Sequence, residues 1–462
     1  MKRTCEWIVK KTAGRLYGKV SDRQRWVAGV STDTRALKTN QLYIPLVGTR
    51  FDGHDYVQDA IAKGAACALW QNDLPLPIES EIPLIVVEDT LEALQQLARA
   101  YRQECEATVV AITGSNGKTT TKDLTAAVLS SSYRVHKTEG NYNNHIGLPL
   151  TLLKMEEDTE VAVVEMGMNH AGEIEQLSYI AQPDIAVITN IGEAHIEYLG
   201  SREAIAAAKL EILAGLKKQG LIIINGDEPL LTTPLREVEW EVIKIGKFMS
   251  TDDGPEQCEM DRTGISFRSR QSRHQFDLPL LGEHNAMNAL MGIAVGRALN
   301  ITEEKMAMGL KEVRISGMRL ETRRAQNGML IINDTYNASP SAMRACIDLL
   351  MDYDVKMEKW LLLGDILELG DEEAYYHREV GQYAAQKGVT RLYTVGERAR
   401  WIAQGAKDAG GVEHIYHFDE RTEAVKSLNR EGHDNVVILA KASRAARLET
   451  VVNQLCEGET SH

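Results

Sequence analysis

Thr108-Val-Val-Ala-Ile-Thr113 runs directly into Gly114-Ser-Asn-Gly-Lys-Thr-Thr120, and the fold is decided here. The β-branched apolar run reads as a buried strand, the glycines as a loop, and the chain from about Thr119 as a helix. Glycines let successive backbone N–H groups turn toward an anion, and a helix N-terminus adds its dipole. Lys118 is then placed to reach the β- and γ-phosphates of ATP, and the Thr119 hydroxyl to sit on Mg²⁺. Thr113, Gly114, Ser115, Asn116, Gly117, Lys118, Thr119 and Thr120 are the expected ATP-binding residues. The strict form of the loop has a glycine five residues before Gly117, where this chain has Ile112. The competing reading is a tight strand-to-helix turn with an incidental lysine. Kinases, motors, GTPases and ligases all use such a loop, so it does not choose a reaction.

Outward from the loop, strand-like runs recur at 161–165, 185–189 and 221–224, with helical stretches between them, the alternation of a parallel sheet. Polar, turn-rich 251–259 reads as part of an antiparallel appendage. From about Arg314 the alternation restarts, with strands expected at 330–332, 360–363, 392–395 and 436–440. Before the loop, the first hundred residues read as a small α/β unit with strands at 41–46, 66–70 and 84–87 and a helix at 56–63. Residues 90–101 place Leu91, Leu94 and Leu97 at helical spacing. The expected fold class is α/β in three domains: a small N-terminal unit over 1–102, a central phosphate-loop parallel-sheet unit over 103–313, and a C-terminal Rossmann-like unit over 314–462.

A chain of 462 residues exceeds what one hydrophobic core serves. No apolar stretch approaches the roughly 18 residues that span a bilayer, and the basic N-terminus lacks the apolar core of a signal peptide. Six scattered cysteines fit a reducing cytoplasm. A net charge of −14 argues against nonspecific nucleic-acid binding, which rests on basic surface. Small-molecule substrates, no membrane and a monomer are the expectation.

Other motifs carry chemistry of their own. Val163-Val-Glu-Met-Gly-Met168 puts Glu165 at a strand end in the loop's sheet, where a carboxylate is a hard ligand for ATP-bound Mg²⁺. In Gly282-Glu-His-Asn-Ala-Met-Asn288, Asn285 and Asn288 share one helix face; side-chain amides suit adenine or ribose, and capping is the other use of Asn285. His284 is a weaker nucleotide candidate. Arg319 in Ser316-Gly-Met-Arg-Leu320 offers a fork of donors suited to phosphate.

The loop variant, at the head of the middle of three α/β units, resembles the Mur ligase family, which adds amino acids or a dipeptide to UDP-N-acetylmuramoyl precursors of peptidoglycan. The resemblance covers most of the chain. It implies that ATP phosphorylates a substrate carboxylate and that an amine attacks the acyl phosphate. It implies that His195, in Thr189-Asn-Ile-Gly-Glu-Ala-His195, helps hold a second Mg²⁺. Lys209, in Glu203-Ala-Ile-Ala-Ala-Ala-Lys-Leu-Glu-Ile212, matches the family's carbamylated lysine, so Lys118, Glu165, His195 and Lys209 form the expected catalytic set. Ser31, Asp33 and Arg35, with Phe51-Asp-Gly-His54, resemble stretches that hold the UDP end; a turn salt bridge is the other reading of Asp33 and Arg35. Asn143 and Asn144, in Asn141-Tyr-Asn-Asn-His-Ile-Gly-Leu-Pro149, match a stretch near the muramoyl-peptide.

In the C-terminal unit, Asp334, Tyr336, Asn337, Asp365, Lys441 and Arg444 are the expected substrate residues. Ser339 and Ala442 stand where the family more often has Asn and Gly; the first weakens a hydrogen-bond role at 339, and the second narrows the backbone's approach to ligand. Asn333-Asp-Thr-Tyr-Asn337, Leu363-Gly-Asp-Ile-Leu-Glu-Leu-Gly370 and Phe51-Asp-Gly-His54 resemble the dipeptide-adding branch, and no Asp-Asn-Pro-Arg-like sequence for a dibasic amino acid is present. The implied substrates are D-alanyl-D-alanine and a UDP-N-acetylmuramoyl-tripeptide. Alternatives are a ligase adding a diamino acid, a folylpolyglutamate or cyanophycin synthetase, and, from another class, a phosphotransferase or nucleotide-binding regulator.

Overall fold

Strand Thr108–Thr113 is buried on both faces, and its residues divide by pleat between two cores. Val109 and Ala111 face one, Val110 and Ile112 the other. In the computed structural model, which describes residues 1–76 and 80–457, this strand lies in a six-stranded, wholly parallel sheet. From edge to edge the sheet runs Glu241–Ile245, Leu221–Asn225, Ile185–Ile188, Thr108–Thr113, Val161–Glu165 and Val135–Lys137. Neighbours of the loop strand come from later in the chain on both sides, so the loop leaves the sheet at a switch in strand order, where open α/β sheets bind ligands. Helices Lys118–Ser130 and His284–Ala298 cover the face that carries Val110 and Ile112, and an antiparallel three-stranded appendage packs there. The appendage occupies Pro255–Met260, Ile265–Ser269 and Gln275–Leu278, somewhat beyond the expected turn-rich segment.

The opposite face of this sheet shares one continuous core with the N-terminal unit. Helix Thr90–Glu104 joins them: Leu94, Leu97 and Tyr101 are fully buried, and the Tyr101 hydroxyl donates to Met155 O at 2.8 Å. The expected boundary at residue 102 falls within the last turn of this helix. The N-terminal five-stranded sheet has the order Arg15–Tyr17, Leu84–Val87, Cys67–Gln71, Leu42–Tyr43, Val30–Ser31. The strand expected over 41–46 pairs only at Leu42–Tyr43, because Pro45 has no N–H to continue the ladder.

A second six-stranded sheet follows, in the order Glu321–Arg324, Leu330–Asp334, Val436–Lys441, Glu358–Gly364, Arg391–Val395, His414–Phe418. All neighbours are parallel except the first pair. Asp334 and Lys441 are register partners at adjacent carboxyl ends, and these ends face the phosphate loop across a cleft. Residues 458–462 of the third expected range lie outside the described residues. Among the described residues no helix is long and apolar enough to cross a membrane.

Candidate active site

The phosphate loop is held open by its neighbours. Gly114 has φ +147°, and a Cβ there would lie 1.9 Å from Thr189 Oγ1; Gly117 has φ +78°, with Asn288 Oδ1 2.9 Å from where its Cβ would be. Only glycine allows that approach. The segment after the next strand ties the loop down: Ser115 N–H donates to Asn190 O at 3.0 Å, Asn116 N–H to Asn190 Oδ1 at 2.9 Å, and Thr189 Oγ1 to Asn116 O at 2.6 Å. Ile112, which stands where the strict pattern has a glycine, is fully buried in the strand opposite Glu165 and Val187, so the bend begins two residues later, at Gly114.

Glu165 ends its strand with 2% exposure. Thr119 Oγ1 donates to one carboxylate oxygen and Asn143 Nδ2 to the other, each at 2.8 Å. Lys118 folds back on the loop, donating to Gly114 O at 2.7 Å and Ser115 O at 3.3 Å. Burial pushes its ammonium pKa down against the pull of Glu165, and Arg319 adds to the depression. Arg319 reaches over from the segment that joins the two sheets, its Nη2 donating to Thr119 Oγ1 at 2.9 Å and its guanidinium 4.1 Å from the centre of the Tyr336 ring. Met318 and Leu320 on either side have φ of +61° and +54°, and the buried Arg319 Nε has no protein partner among the described residues. An unsatisfied buried guanidinium N–H beside a phosphate loop fits an anion.

Sequence reasoning missed what fixes this segment. Ser316 donates both its N–H and its hydroxyl to Asp123 Oδ2, at 3.0 and 2.9 Å, and Asp123 lies buried on the phosphate-loop helix.

One cleft of about 600 Å³ is lined by Ser115 to Thr120, Asn143, Asn144, Glu165, His195, His284, Asn285, Arg319, Asp334, Tyr336, Asn337 and Lys441. The fold thus gathers residues from the central and C-terminal units; Glu165 was linked to the loop by its place in the sheet, and the C-terminal residues by resemblance. Thr113 and Gly114 sit just beneath, Thr113 Oγ1 donating to Met166 O at 2.9 Å. Asn285 donates to Leu281 O at 2.8 Å and accepts from Asn288 at 3.0 Å, so its amide is anchored as well as cleft-lining. Asn144 Oδ1 accepts from Gly147 N–H at 2.8 Å at the start of helix Gly147–Leu153.

On the far wall Lys441 Nζ pairs with Asp334 and donates to Asn337 O at 3.0 Å. Burial opposes its charge, but Asp334 and Cys346 outweigh it and the net shift is upward. His195 has φ +66°, and its Nδ1 lies 2.7 Å from Glu368 Oε2, a contact too bent to count as a hydrogen bond. That contact lowers the Glu368 carboxyl pKa. Glu368 belongs to the Leu363–Gly370 motif, and its role was not read from sequence.

Lys209 lies outside the cleft lining, on helix Arg202–Leu210, with 1% exposure. Burial, and then the positive charge of Lys118, lower its pKa well below the ordinary lysine value. Among the described residues no carboxylate pairs with it.

Four expectations change. Ser339 keeps a hydrogen-bond role: its hydroxyl accepts from Ala342 N–H at 3.3 Å, capping helix Pro340–Asp352, and donates to Asn116 Oδ1 at 3.1 Å. The Ala442 methyl does not narrow the cleft, because it is buried in the core against Gly364, where a Cβ would lie 2.7 Å from it. Asp365 turns away from the cleft, its Oδ1 accepting from Arg398 and Ala399 N–H at 3.0 and 2.7 Å. Arg444 is exposed and pairs with Glu449 at 3.4 Å, also outside the cleft.

In the N-terminal unit the turn salt bridge is what forms. Arg35 Nη2 meets Asp33 Oδ2 at 2.8 Å, Asp33 N–H donates to Ser31 Oγ at 3.3 Å, and Arg35 remains 88% exposed.

The donor set fits magnesium. Among the described residues no group of three or more His, Cys, Asp and Glu could hold a metal ion by itself. Mg²⁺ does not need one: it is commonly held by one or two carboxylates together with substrate phosphates. Glu165 and the Thr119 hydroxyl supply hard oxygens beside the phosphate cradle.

A phosphate cradle faced across one cleft by Lys441 and Asn337 of a second, mostly parallel sheet is the architecture of a phosphate-loop enzyme. Family models match three stretches: "Mur ligase family, catalytic domain" at 27–102, "Mur ligase middle domain" at 112–296, and "Mur ligase, glutamate ligase domain" at 318–444. The chain is 45% identical to the UDP-N-acetylmuramoyl-tripeptide–D-alanyl-D-alanine ligase of Bacillus subtilis over 461 residues, covering 100% of both. It superposes on the MurF crystal structure from Acinetobacter baumannii with TM-score 0.88 and 31% identity, covering 98% and 99% of the two chains. For the MurF ligase of Thermotoga maritima in complex with ADP the values are 0.83 and 28%, over 93% and 97%. The chain belongs to the Mur ligase family.

Proposed function

We propose that the chain joins D-alanyl-D-alanine to the terminal carboxylate of a UDP-N-acetylmuramoyl-tripeptide, converting ATP to ADP and phosphate. The observation that carries this is the single cleft in which the phosphate loop and Glu165 face Asp334 and Lys441. A phosphoryl donor and an amine can meet there. The identity of the two substrates follows from full-length similarity to the ligase of that name.

In this reading the amides of the loop and the N-terminus of helix Lys118–Ser130 bind the ATP phosphates, and Lys118 exchanges loop carbonyls for phosphate oxygens. Arg319 adds its free Nε–H to the same anion. Mg²⁺, when bound, would neutralise phosphate charge and polarise the transferred group; Glu165 and Thr119 would hold one ion, and His195 with carbamylated Lys209 a second. The tripeptide carboxylate attacks the γ-phosphorus, forming an acyl phosphate and ADP. The neutral dipeptide amine then attacks the acyl carbon, and the tetrahedral intermediate expels phosphate. Lys441 and Asp334 orient the dipeptide, Tyr336 and Asn337 flank it, and Asn143 and Asn144 hold the muramoyl-peptide. Ser31, Asp33 and Arg35 hold the UDP end once the Asp33–Arg35 pair opens. The units 1–102, 103–313 and 314–462 act as the three domains of a cytoplasmic monomer.

The carbamate has its own physical support. A lysine must be neutral to react with CO₂, and burial beside Lys118 favours the neutral amine. The product is an anion, which Lys118 then attracts instead of repelling.

The test of reaction class is ADP and phosphate release with and without the dipeptide. A ligase releases both in step with added D-alanyl-D-alanine. Equal ADP formation without any amine would make the chain a phosphotransferase or an ATPase.

A further inference from the structure

His195 is presented by the central unit but touched by the C-terminal one. It starts the short helix Ile196–Leu199 in a left-handed conformation, φ +66°, and Glu368 opposite is also left-handed, φ +63°. Non-glycine residues seldom adopt that backbone, and such positions persist where the surroundings fix them. Here the backbones are joined as well: Glu197 N–H donates to Glu368 O at 3.3 Å, and a Cβ at Gly370 would lie 3.4 Å from Glu197 Cα. Two strained residues thus meet across the junction with Nδ1 and Oε2 2.7 Å apart. His195 is 17% and Glu368 39% exposed, and a polar contact so open contributes little to stability. Its geometry therefore has more to do with orientation than with holding the fold.

We infer that Glu368 is a positioning residue for His195: a small turn of the ring straightens the 2.7 Å contact, and the carboxylate then accepts from Nδ1–H and leaves the lone pair on Nε2. A carboxylate behind an imidazole fixes both tautomer and ring orientation. Because Glu368 is carried by the C-terminal unit, the histidine is correctly set only when that unit is docked. The inference rests on the reading of His195 as a magnesium ligand.

The experiment uses the full chain with ¹⁵N-labelled histidine. Long-range ¹H–¹⁵N NMR without metal reads the tautomer, and His195→Gln identifies the resonances. The wild type shows the Nδ1–H form, and Glu368→Ala loses it. In turnover assays Glu368→Ala raises the Mg²⁺ concentration for half-maximal rate about tenfold to a hundredfold, the usual effect of removing such a partner, while KM for ATP at saturating Mg²⁺ stays unchanged. Glu368→Gln, whose amide oxygen can still accept from Nδ1–H, restores the tautomer and most of the Mg²⁺ response. An unchanged tautomer in Glu368→Ala, or a Gln variant no better than Ala, overturns the inference. If the tautomer moves as expected but neither His195→Gln nor Glu368→Ala alters the Mg²⁺ requirement, the positioning stands and the metal-ligand reading of His195 fails.

Discussion

Lys118, Glu165 and Lys209 each owe their chemistry to surroundings that the residue type alone does not reveal. Lys118→Ala removes the only lysine of the loop and is expected to lower turnover by at least about a hundredfold, the scale of losing one preorganised electrostatic partner. Steady-state phosphate release checks it. Glu165→Ala leaves Thr119 and Asn143 without their shared acceptor, and the effect should fall on kcat more than on ATP affinity; calorimetric titration with ADP separates the two.

Lys209→Ala should be nearly inactive and partly rescued by short-chain carboxylates. In the wild type, ¹³C-bicarbonate should give a carbamate NMR signal. The pH dependence has a definite sign: the lowered pKa enlarges the neutral-amine fraction, so acidification should protonate the amine, erase the signal and lower activity, and added bicarbonate should oppose both losses. A strong signal that persists in Lys209→Ala would assign the carbamate elsewhere. Glycine-Lys-Thr after a strand was legible in the sequence because three residues suffice to define it. Lys209 was legible only by resemblance, since its burial depends on how helix Arg202–Leu210 packs.

At the level of elements, the phosphate loop is built by the strand that follows it in the sheet as much as by its own glycines. Gly114→Ala would push a methyl onto Thr189, so either the loop or the 189–192 segment must move. The expected outcome is destabilisation of about 1–3 kcal/mol, read by denaturant unfolding, with loss of nucleotide binding. The central strands were readable because both faces are buried and the runs are continuously apolar. The edge strands Glu241–Ile245, Glu321–Arg324 and His414–Phe418 escaped, because one-sided burial lets charged and polar residues into them. Asp123 escaped for a different reason: its partner Ser316 lies 193 residues further on, and no local pattern announces such a bond.

Across the whole molecule, the C-terminal sheet is docked on the phosphate-loop unit by polar contacts around a small apolar patch, where Leu281, with Ile196 and Met260, packs into the C-terminal core. Asn116 bonds Ser339 and Ser341, and Arg344, held within its own unit by Glu379 at 3.0 Å, crosses to Glu193 at 3.2 Å. Polar junctions of this kind permit relative domain motion. Arg344→Ala should weaken docking by about 1 kcal/mol, roughly fivefold in the ratio of docked to undocked chains. It should raise KM for the amine while leaving ADP affinity unchanged, with solution scattering reporting the looser form.

The central claim is that this docked cleft makes one peptide bond between two particular substrates. Its most direct test is the mass of the nucleotide product when purified protein, ATP and Mg²⁺ are given UDP-N-acetylmuramoyl-tripeptide with D-alanyl-D-alanine, beside UDP-N-acetylmuramoyl-dipeptide with lysine or diaminopimelate. The first mixture should yield a UDP-muramoyl-pentapeptide with one phosphate released per product, and the second no product. A UDP-muramoyl-tripeptide formed in the second mixture, with nothing from the first, would contradict it.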